Sequence, residues 1–397
     1  MYGVLLLLLA VGFYALLLAV LAATAWVLVL LVRAAPMAAR TGLYGLKLYA
    51  GVVFAVFLFA VAIVRGIFAR AHSDVFGIAC DPACHPRPFR LSGEIAEATG
   101  ARPLDRITIT ADGNAGVIEE AGLLIPPGLG RQTLAIGMWL LCSLRTEELR
   151  AVLAHEYAHL SRRHSGWRRW VRRAPVSFGA AVEAMAKQRG YWLNPVLWVL
   201  GLYMVVYGLI AAALARESEL HADRVALETC GAEAVAAALV GASIEGLFFE
   251  FALPSELDEL ARTRNIGANL YRTLALQRHA AQPEVRHQLR RMLSLALTDR
   301  SGVADAHPSL GERLRAQNIP TAHLAVPEPP RPIPWDERDV HLPGELREQL
   351  RNAAPSAAEE ILGPKTALRM QAQLTDMVVH GARMWAAARR EARELEE

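Results

Sequence analysis

The sequence predicts a mainly α-helical protein with a small β element, an N-terminal transmembrane hairpin and a helical C-terminal region. The chain is 53% hydrophobic and only 20% charged, a composition that is high in apolar residues for a soluble enzyme. Long uncharged stretches open the chain, and apolar residues recur at three- and four-residue spacing through much of the remainder. We therefore expect membrane helices joined to a substantial water-exposed domain.

Residues 1–69 are expected to form the transmembrane hairpin. Residues 2–32 contain no charged residue, and as a helix they would extend about 46 Å, beyond the roughly 30 Å hydrocarbon core. Residues 48–64 form a second apolar run, bounded by Lys47 and Arg65. No cationic residue precedes the first run, which is longer than the apolar part of a signal peptide, so a membrane anchor is expected instead of a cleaved leader.

The small β element is expected between residues 70 and 145, where short segments are broken by Gly and Pro. Alternation of β-branched residues predicts strands at residues 106–110 and 133–136. The sequence ADGNAG at residues 111–116 between them predicts a turn. This region opens a domain that we expect to extend over residues 70–325.

A helix with metal-binding potential is predicted from Thr146, which can serve as its N-cap. His155 and His159 lie one helical turn apart on it, so both imidazoles can point at one zinc ion. Glu156 lies beside them and can act as a general base without being a ligand. An H-[DE]-x-x-H match is expected by chance about 0.04 times in a chain of this composition. The alternative is an ordinary amphipathic helix with two exposed histidines.

A third metal ligand is expected in a second charged stretch, residues 216–230. A catalytic zinc site requires a third protein ligand, and Glu219 offers a carboxylate about 60 residues after His159. Asp223, one turn later, suits an acceptor that holds a ligand His by its other ring nitrogen. Glu217 and His221 compete as ligands because both are close in sequence and chemically able. The alternative to a metal site is a helix face whose charged side chains are simply exposed to solvent.

These residues resemble the integral-membrane gluzincin metallopeptidases, a family that includes the HtpX proteases and the CAAX prenyl proteases. The family pattern is HExxH followed by ExxxAD, matched here by His155–His159 and, with the spacing one residue shorter, by Glu219–Asp223. Further matches follow in the expected order: His164, Arg216 and the run HPSLGERL at His307–Leu314. The resemblance covers about residues 70–316.

The resemblance implies a zinc metalloendopeptidase with one Zn²⁺ per chain, held by His155, His159 and Glu219. Glu156 would activate the water. His307 would be a donor to the oxyanion of the reaction, although a capping or loop-packing role is the alternative.

The resemblance also implies a strand whose edge accepts the substrate backbone, and it places that edge at residues 132–139. The alternative for this strand is an ordinary two-stranded support.

The expected function is hydrolysis of peptide bonds in membrane or misfolded proteins, as in HtpX-like quality control. A membrane-embedded zinc sensor or scaffold without turnover is the alternative from another class, and processing of prenylated peptides is a further one. The expected partners are a protein or peptide substrate and the lipid bilayer. The net charge of +3 is too small to argue for or against nucleic acid, and since the sequence has no basic-aromatic array, no nucleic-acid partner is expected. The oligomeric state stays open.

The apolar stretch near residues 194–215 raises a question of topology. His159 and Glu219 can share an ion only if they lie on one side of the membrane, so the number of crossings between them must be even. Either residues 171–189 supply a second crossing, or residues 194–215 do not cross. The charges within residues 171–189 favour the second arrangement, with a helix docked against the hairpin or lying on the membrane surface. For a bacterial source, the family resemblance favours the cytoplasmic membrane, with the catalytic domain facing the cytoplasm.

The rest of the chain is expected to comprise a Pro-rich linker at residues 326–344 and a helical C-terminal region at residues 345–397, to which the sequence assigns no function. Cys80 and Cys84 lie in a Pro-containing stretch, and a plain loop is favoured over a second metal site or a local disulfide.

Overall fold

The structure, a computed structural model, describes the following residues: 2–68, 70–71, 75–119, 121–122, 130–160, 178–183, 185–186, 195–263, 269–281, 283–302, 305, 307–333 and 342–394. His164 and residues 334–341 of the predicted linker lie outside them.

The described part of the chain is mainly helical, with small sheets, as the composition predicts. Its helices are α1 (Tyr2–Ala38), α2 (Gly42–Ile67), α3 (Pro86–Thr99), α4 (Met138–Ser143), α5 (Thr146–Ala158), α6 (Pro195–Cys230), α7 (Ala232–Thr263), α8 (Leu270–His279), α9 (Pro283–Thr298), α10 (Leu310–Ala316), α11 (Gly344–Asn352) and α12 (Pro364–Glu394). Its strands are β1 (Arg70–Ala71), β2 (Ile78–Ala79), β3 (Arg106–Thr110), β4 (Ala115–Glu119), β5 (Ala121–Gly122) and β6 (Gln132–Gly137). This confirms the predicted fold class.

The N-terminal helices α1 and α2 form a hairpin. The chain reverses through a 3₁₀ turn at Ala39–Thr41 and Gly42, whose φ of 79° suits glycine. The first half of α6 packs against this hairpin, with Tyr203 donating a hydrogen bond to the Leu9 carbonyl. Phe178, in the helical segment 178–183, stacks on Phe13 with ring centroids 3.9 Å apart. These elements share one apolar core, which we call the hairpin bundle.

Among the described residues, three helical stretches are long and apolar enough to cross a membrane by length and composition: Leu8–Arg65, Leu197–Cys230 and Ala232–Leu260. The last belongs to α7, which contributes to the same apolar core as the main sheet and α5. Phe248 and Phe249 of α7 stack on Trp139, whose ring nitrogen donates to the Glu245 carbonyl at 2.8 Å. The hydropathy of α7 is therefore explained by burial within the protein.

The main sheet has the order β2-β3-β6-β4, with β6 parallel to β3 and antiparallel to β4. The prediction of strands at residues 106–110 and 133–136 is confirmed. The loop 111–114 carries the chain across the end of β6. Gly137 makes this possible, because a Cβ there would lie only 2.3 Å from the Asp112 carbonyl oxygen.

The prediction that Thr146 is the N-cap of the metal-binding helix is wrong by one residue. Arg145 occupies the cap, and its backbone N–H donates to the Glu148 carboxylate at 2.8 Å, so this end is capped from inside the helix. The Thr146 hydroxyl instead donates to Glu360.

The C-terminal region docks against the base of this helix. The Ala357 N–H donates to the Leu144 carbonyl at 2.8 Å, just before α5 begins. The side chain of Gln371 of α12 is 1% exposed. Its amide nitrogen donates to Cys142 Sγ at 3.1 Å, and its amide oxygen accepts from the Asn269 side chain at 2.7 Å. Residues beyond the linker therefore support the elements that carry the site.

Cys80 is buried and Cys84 exposed, and both are free thiols. The chain turns between them through Asp81, whose carbonyl accepts from the His85 N–H at 2.7 Å.

Candidate metal centre and active site

Helix α5 holds the two histidines in place through its buried face. Leu149 and Leu153 are 0% and 1% exposed, and Tyr157 is fully buried with its hydroxyl bonded to Ser92 of α3. His155 and His159 emerge from the same helix end, with ring centroids 4.9 Å apart. The apolar spacing read from the sequence thus fixes the direction of both rings.

Glu219 of α6 meets these rings. Its carboxylate oxygens lie 3.3 Å from His155 Nε2 and 3.2 Å from His159 Nε2. Two ligands about 2.0–2.2 Å from a zinc ion at tetrahedral angles are about 3.3–3.6 Å apart, so both distances lie close to the short end of that range. Within the described residues, these three form the one group of His, Cys, Asp and Glu side chains close enough to hold a metal ion. The donor set fits zinc.

The competing ligands lie elsewhere. Glu217 is exposed to solvent, whereas Glu219 is 7% exposed and faces the histidines. His221 is half-buried and is not in the metal-binding group.

Asp223 is positioned to orient His155. It is 1% exposed, and its Oδ1 lies 2.9 Å from His155 Nδ1, which leaves Nε2 directed at Glu219. Arg313 of α10 donates to both oxygens of Asp223, at 2.9 Å and 2.6 Å. Such a paired carboxylate fixes the ring orientation and tautomer of a ligand His.

Sequence reasoning missed several polar contacts around the site. Ser218 Oγ lies 3.3 Å from His159 Nδ1, on the ring edge away from Glu219. Arg216 donates to the Asp305 carbonyl at 2.6 Å and to the Gly302 carbonyl at 3.3 Å, which ties α6 to the loop before His307. Ser218 could have been found from its position next to Glu219 on α6, but nothing in the sequence indicated the partners of Arg216.

His307 lies at the mouth of the site. Its Nδ1 is 3.3 Å from Glu219 Oε2, and its side chain is 75% exposed. The hydrogen bond with Glu219 raises the pKa of His307 above its usual value. A solvent-facing imidazole beside the metal-binding group can donate a hydrogen bond to a substrate oxygen.

The carboxylates also set the charge of the histidines. Burial lowers the pKa of His155, but its hydrogen bonds with Asp223 and Glu219 raise it to about 9. Burial raises the pKa of Glu219, yet its hydrogen bonds with His155, His159 and His307 hold it well below the usual range. A metal ion must therefore displace a proton from His155 when it binds.

The site opens into a cleft of about 200 Å³. Its polar lining includes Glu156, Asn114 and His307, and its apolar lining includes Val152 and Leu239. Asn114 lies in the loop between β3 and β4, where the sequence predicted only a turn.

The substrate-binding edge predicted at residues 132–139 is a wrong assignment. β6 is an inner strand, with β3 on one side and β4 on the other. β4 forms the edge of the described sheet, and Ala115 at its start lines the cleft. β6 is an inner strand because the chain leaves β3, crosses the end of β6 and returns as β4 on its far side. The propensity of each strand does not reveal this order.

Part of the chain matches a known protein family. Residues 128–318 match the family described as Peptidase family M48, a stretch that includes α5, the ligand-bearing half of α6 and α10. No curated protein and no solved structure matches the chain significantly. Residues 128–318 are therefore similar to peptidase family M48, the metallopeptidase family that the motifs of the chain resemble.

Proposed function

We propose that the protein is a membrane-bound zinc endopeptidase that hydrolyses peptide bonds in membrane or misfolded proteins. The convergence of His155, His159 and Glu219 beside Glu156 in one cleft carries this proposal. These three side chains would hold one Zn²⁺, which supplies Lewis acidity and activates water when bound.

Glu156 performs the proton transfers. Its carboxylate accepts a proton from the attacking water and delivers it to the leaving amine. His307 donates to the oxygen that becomes negative during attack, because its exposed ring faces the substrate side of Glu219. Asp223 and Arg313 keep His155 in the orientation that metal binding requires.

The substrate binds as an extended segment along β4. Its backbone pairs with the edge of β4 that no described strand covers, and its side chains reach the small apolar wall formed by Val152, Leu239 and Ala242. Backbone pairing requires an unfolded segment, which supports misfolded or locally unwound proteins as the substrate class.

The test compares Glu156→Gln with wild type in casein hydrolysis by the purified full-length protein, with zinc content measured in parallel. We expect hydrolysis to be lost while zinc stays at about one per chain, because the base is not a ligand. Glu147→Gln changes an exposed carboxylate of the same helix and should retain wild-type activity. Undiminished cleavage by the Glu156 variant would overturn the role of Glu156 as the base, whereas zinc binding without casein hydrolysis by the wild-type protein would favour the zinc sensor or scaffold without turnover.

The membrane arrangement that we propose has α1, α2 and the apolar half of α6 in the bilayer, with the helical segment 178–183 in a second crossing, in place of the docked or surface-lying helix that the sequence favoured. Two observations support it over a helix docked outside the bilayer. The face of α6 directed away from the hairpin bundle is apolar and exposed, as at Trp198 (66%) and Leu202 (67%). The segment 178–183 also packs within the same bundle.

Single cysteines at Gly190 and Asp305 in a cysteine-free background test this arrangement. Gly190 lies outside the described residues and falls, in the sequence, between segment 178–183 and α6. With the catalytic domain in the cytoplasm, an impermeant maleimide should label Gly190→Cys in intact cells and Asp305→Cys only after lysis. Protection of both positions until lysis would establish the docked helix instead.

The proposed division of the chain keeps residues 1–69 as the hairpin, 70–325 as the metallopeptidase domain, 326–344 as the linker and 345–397 as the C-terminal region.

A further inference from the structure

A second cavity, separate from the metal centre, lies between α9 and the strap that we define as residues 324–328. Its volume is about 510 Å³, within the range of small-molecule sites. Its floor is apolar and includes Leu289, Leu293 and Leu324. Its rim carries the guanidinium groups of Arg286 and Arg290.

The cavity is preformed, because buried side chains hold the strap in place. Arg278 is 5% exposed and donates to the Pro327 carbonyl at 3.0 Å. His279 is 7% exposed, and its Nε2 lies 2.9 Å from the Pro330 carbonyl. The charge of Arg278 is matched by Glu245, whose Oε1 accepts from it at 2.9 Å. A ligand can therefore bind against the strap without a rearrangement of the backbone.

The rim retains unmatched positive charge. Arg286 and Arg290 are one turn apart on α9 and both are exposed. Among the described residues, no carboxylate lies within ion-pair distance of either one, and Arg286 makes only a 3.4 Å hydrogen bond with the His279 carbonyl. Of the lining residues that the structure describes, Glu328 is the one that is acidic, so Arg286 and Arg290 outnumber it.

We propose that this cavity binds a monoanion attached to an aliphatic group, with the anion on Arg286 and Arg290 and the aliphatic part on the leucine floor. Two guanidinium groups select a carboxylate or phosphate, and the floor adds burial of apolar surface. This chemistry is shared by a fatty acid and by the C-terminal carboxylate of a peptide that ends in an apolar residue. The proposal does not depend on the metal centre.

The test is calorimetric titration of the full-length protein in zwitterionic nanodiscs, with the signal from empty nanodiscs subtracted. Decanoate probes the fatty-acid source, and acetyl-Ala-Leu with a free carboxylate probes the peptide source. Decanol and acetyl-Ala-Leu amide are the uncharged controls. We expect saturable binding of at least one carboxylate and much weaker binding of its uncharged counterpart. Binding of decanoate alone identifies a fatty-acid site, and binding of the peptide alone identifies a C-terminus site.

The variant Arg286→Gln/Arg290→Gln should weaken binding about fivefold to tenfold, because two charged contacts are lost. The charge-matched control Arg291→Gln/Arg300→Gln changes two exposed arginines that do not line the cavity and should bind as wild type does. Ser294→Trp fills the exposed mouth without changing charge and should also reduce binding. Absence of saturable carboxylate binding, equal binding of the uncharged controls, or wild-type affinity in both cavity variants would overturn the proposal.

Discussion

The two halves of α6 show opposite relations between polarity and burial. In the first half, Trp198, Leu202 and Val205 are 66%, 67% and 60% exposed. In the second half, Glu219 and Asp223 are 7% and 1% exposed. One continuous helix therefore turns apolar side chains outward and carboxylates inward. The contrast teaches that the partner available to a side chain decides whether it is buried. Lipid can cover the apolar side chains of the first half, and histidine and arginine side chains neutralise the carboxylates of the second half.

The largest effect that tests this comparison is expected from the buried carboxylate at the metal centre. Glu219→Ala should lose bound zinc and casein hydrolysis, because two histidines alone form a weak site. Glu217→Ala, two residues earlier and exposed, should keep both. Metal analysis of the two purified variants gives the result, and the reverse order would refute the proposed ligand set.

A charge placed on the outward face of the apolar half should come next. Val205→Arg should cost about 2.5–3.5 kcal/mol if that face contacts lipid near the bilayer centre. Glu228→Arg, at an exposed position in the other half, should change stability by less than about 0.5 kcal/mol. Loss of casein hydrolysis after stepwise heating in nanodiscs measures the difference. Equal heat resistance would mean that the first half faces water.

The carboxylate that orients His155 should have a smaller effect than the ligand. Asp223→Asn should weaken zinc binding about 10- to 100-fold, because the amide keeps the shape but loses the charge that holds the ring. Arg224→Gln changes its exposed neighbour and serves as the control. Competition with a zinc chelator of known affinity reports both values, and an Asp223 variant with wild-type affinity would remove its orienting role.

The smallest effect is expected at Ser218. Its hydroxyl is half-buried and 3.3 Å from His159 Nδ1, so Ser218→Ala removes one neutral hydrogen bond worth about 0.5–1.5 kcal/mol. The same chelator competition should show a loss of zinc affinity below that of Asp223→Asn. A larger loss than at Asp223 would reverse the ranking of the two supporting contacts.

The parts of the fold and site that the sequence predicted depend on local spacing. The four-residue interval of His155 and His159 places them on one helix face, and the same interval relates Glu219 to Asp223. Helical hydropathy likewise located α1, α2 and the apolar half of α6. Each of these relations is contained within one element, so periodicity is enough.

The missed features join residues that are distant in sequence. Arg313 pairs with Asp223 across 90 positions, and Thr146 contacts Glu360 across 214. The inner position of β6 depends on which strands pair, which the propensity of each strand does not encode. Asn114 was missed for the same reason, since a turn residue becomes part of a cleft only when the sheet order is known.

Because α6 is one continuous helix, the rotation of its first half against the hairpin bundle fixes the direction in which Glu219 of its second half points. The helix has 36 residues, and Tyr203 of its first half is bonded to Leu9 of α1 while Glu219 of its second half faces the histidines. One residue inserted between them would turn Glu219 by about 100° and advance it about 1.5 Å, whereas four would return it to within about 40°. Four inserted residues would nevertheless advance Glu219 by about 6 Å along the axis, so its contact with the histidines fixes both the rotation and the length of this helix.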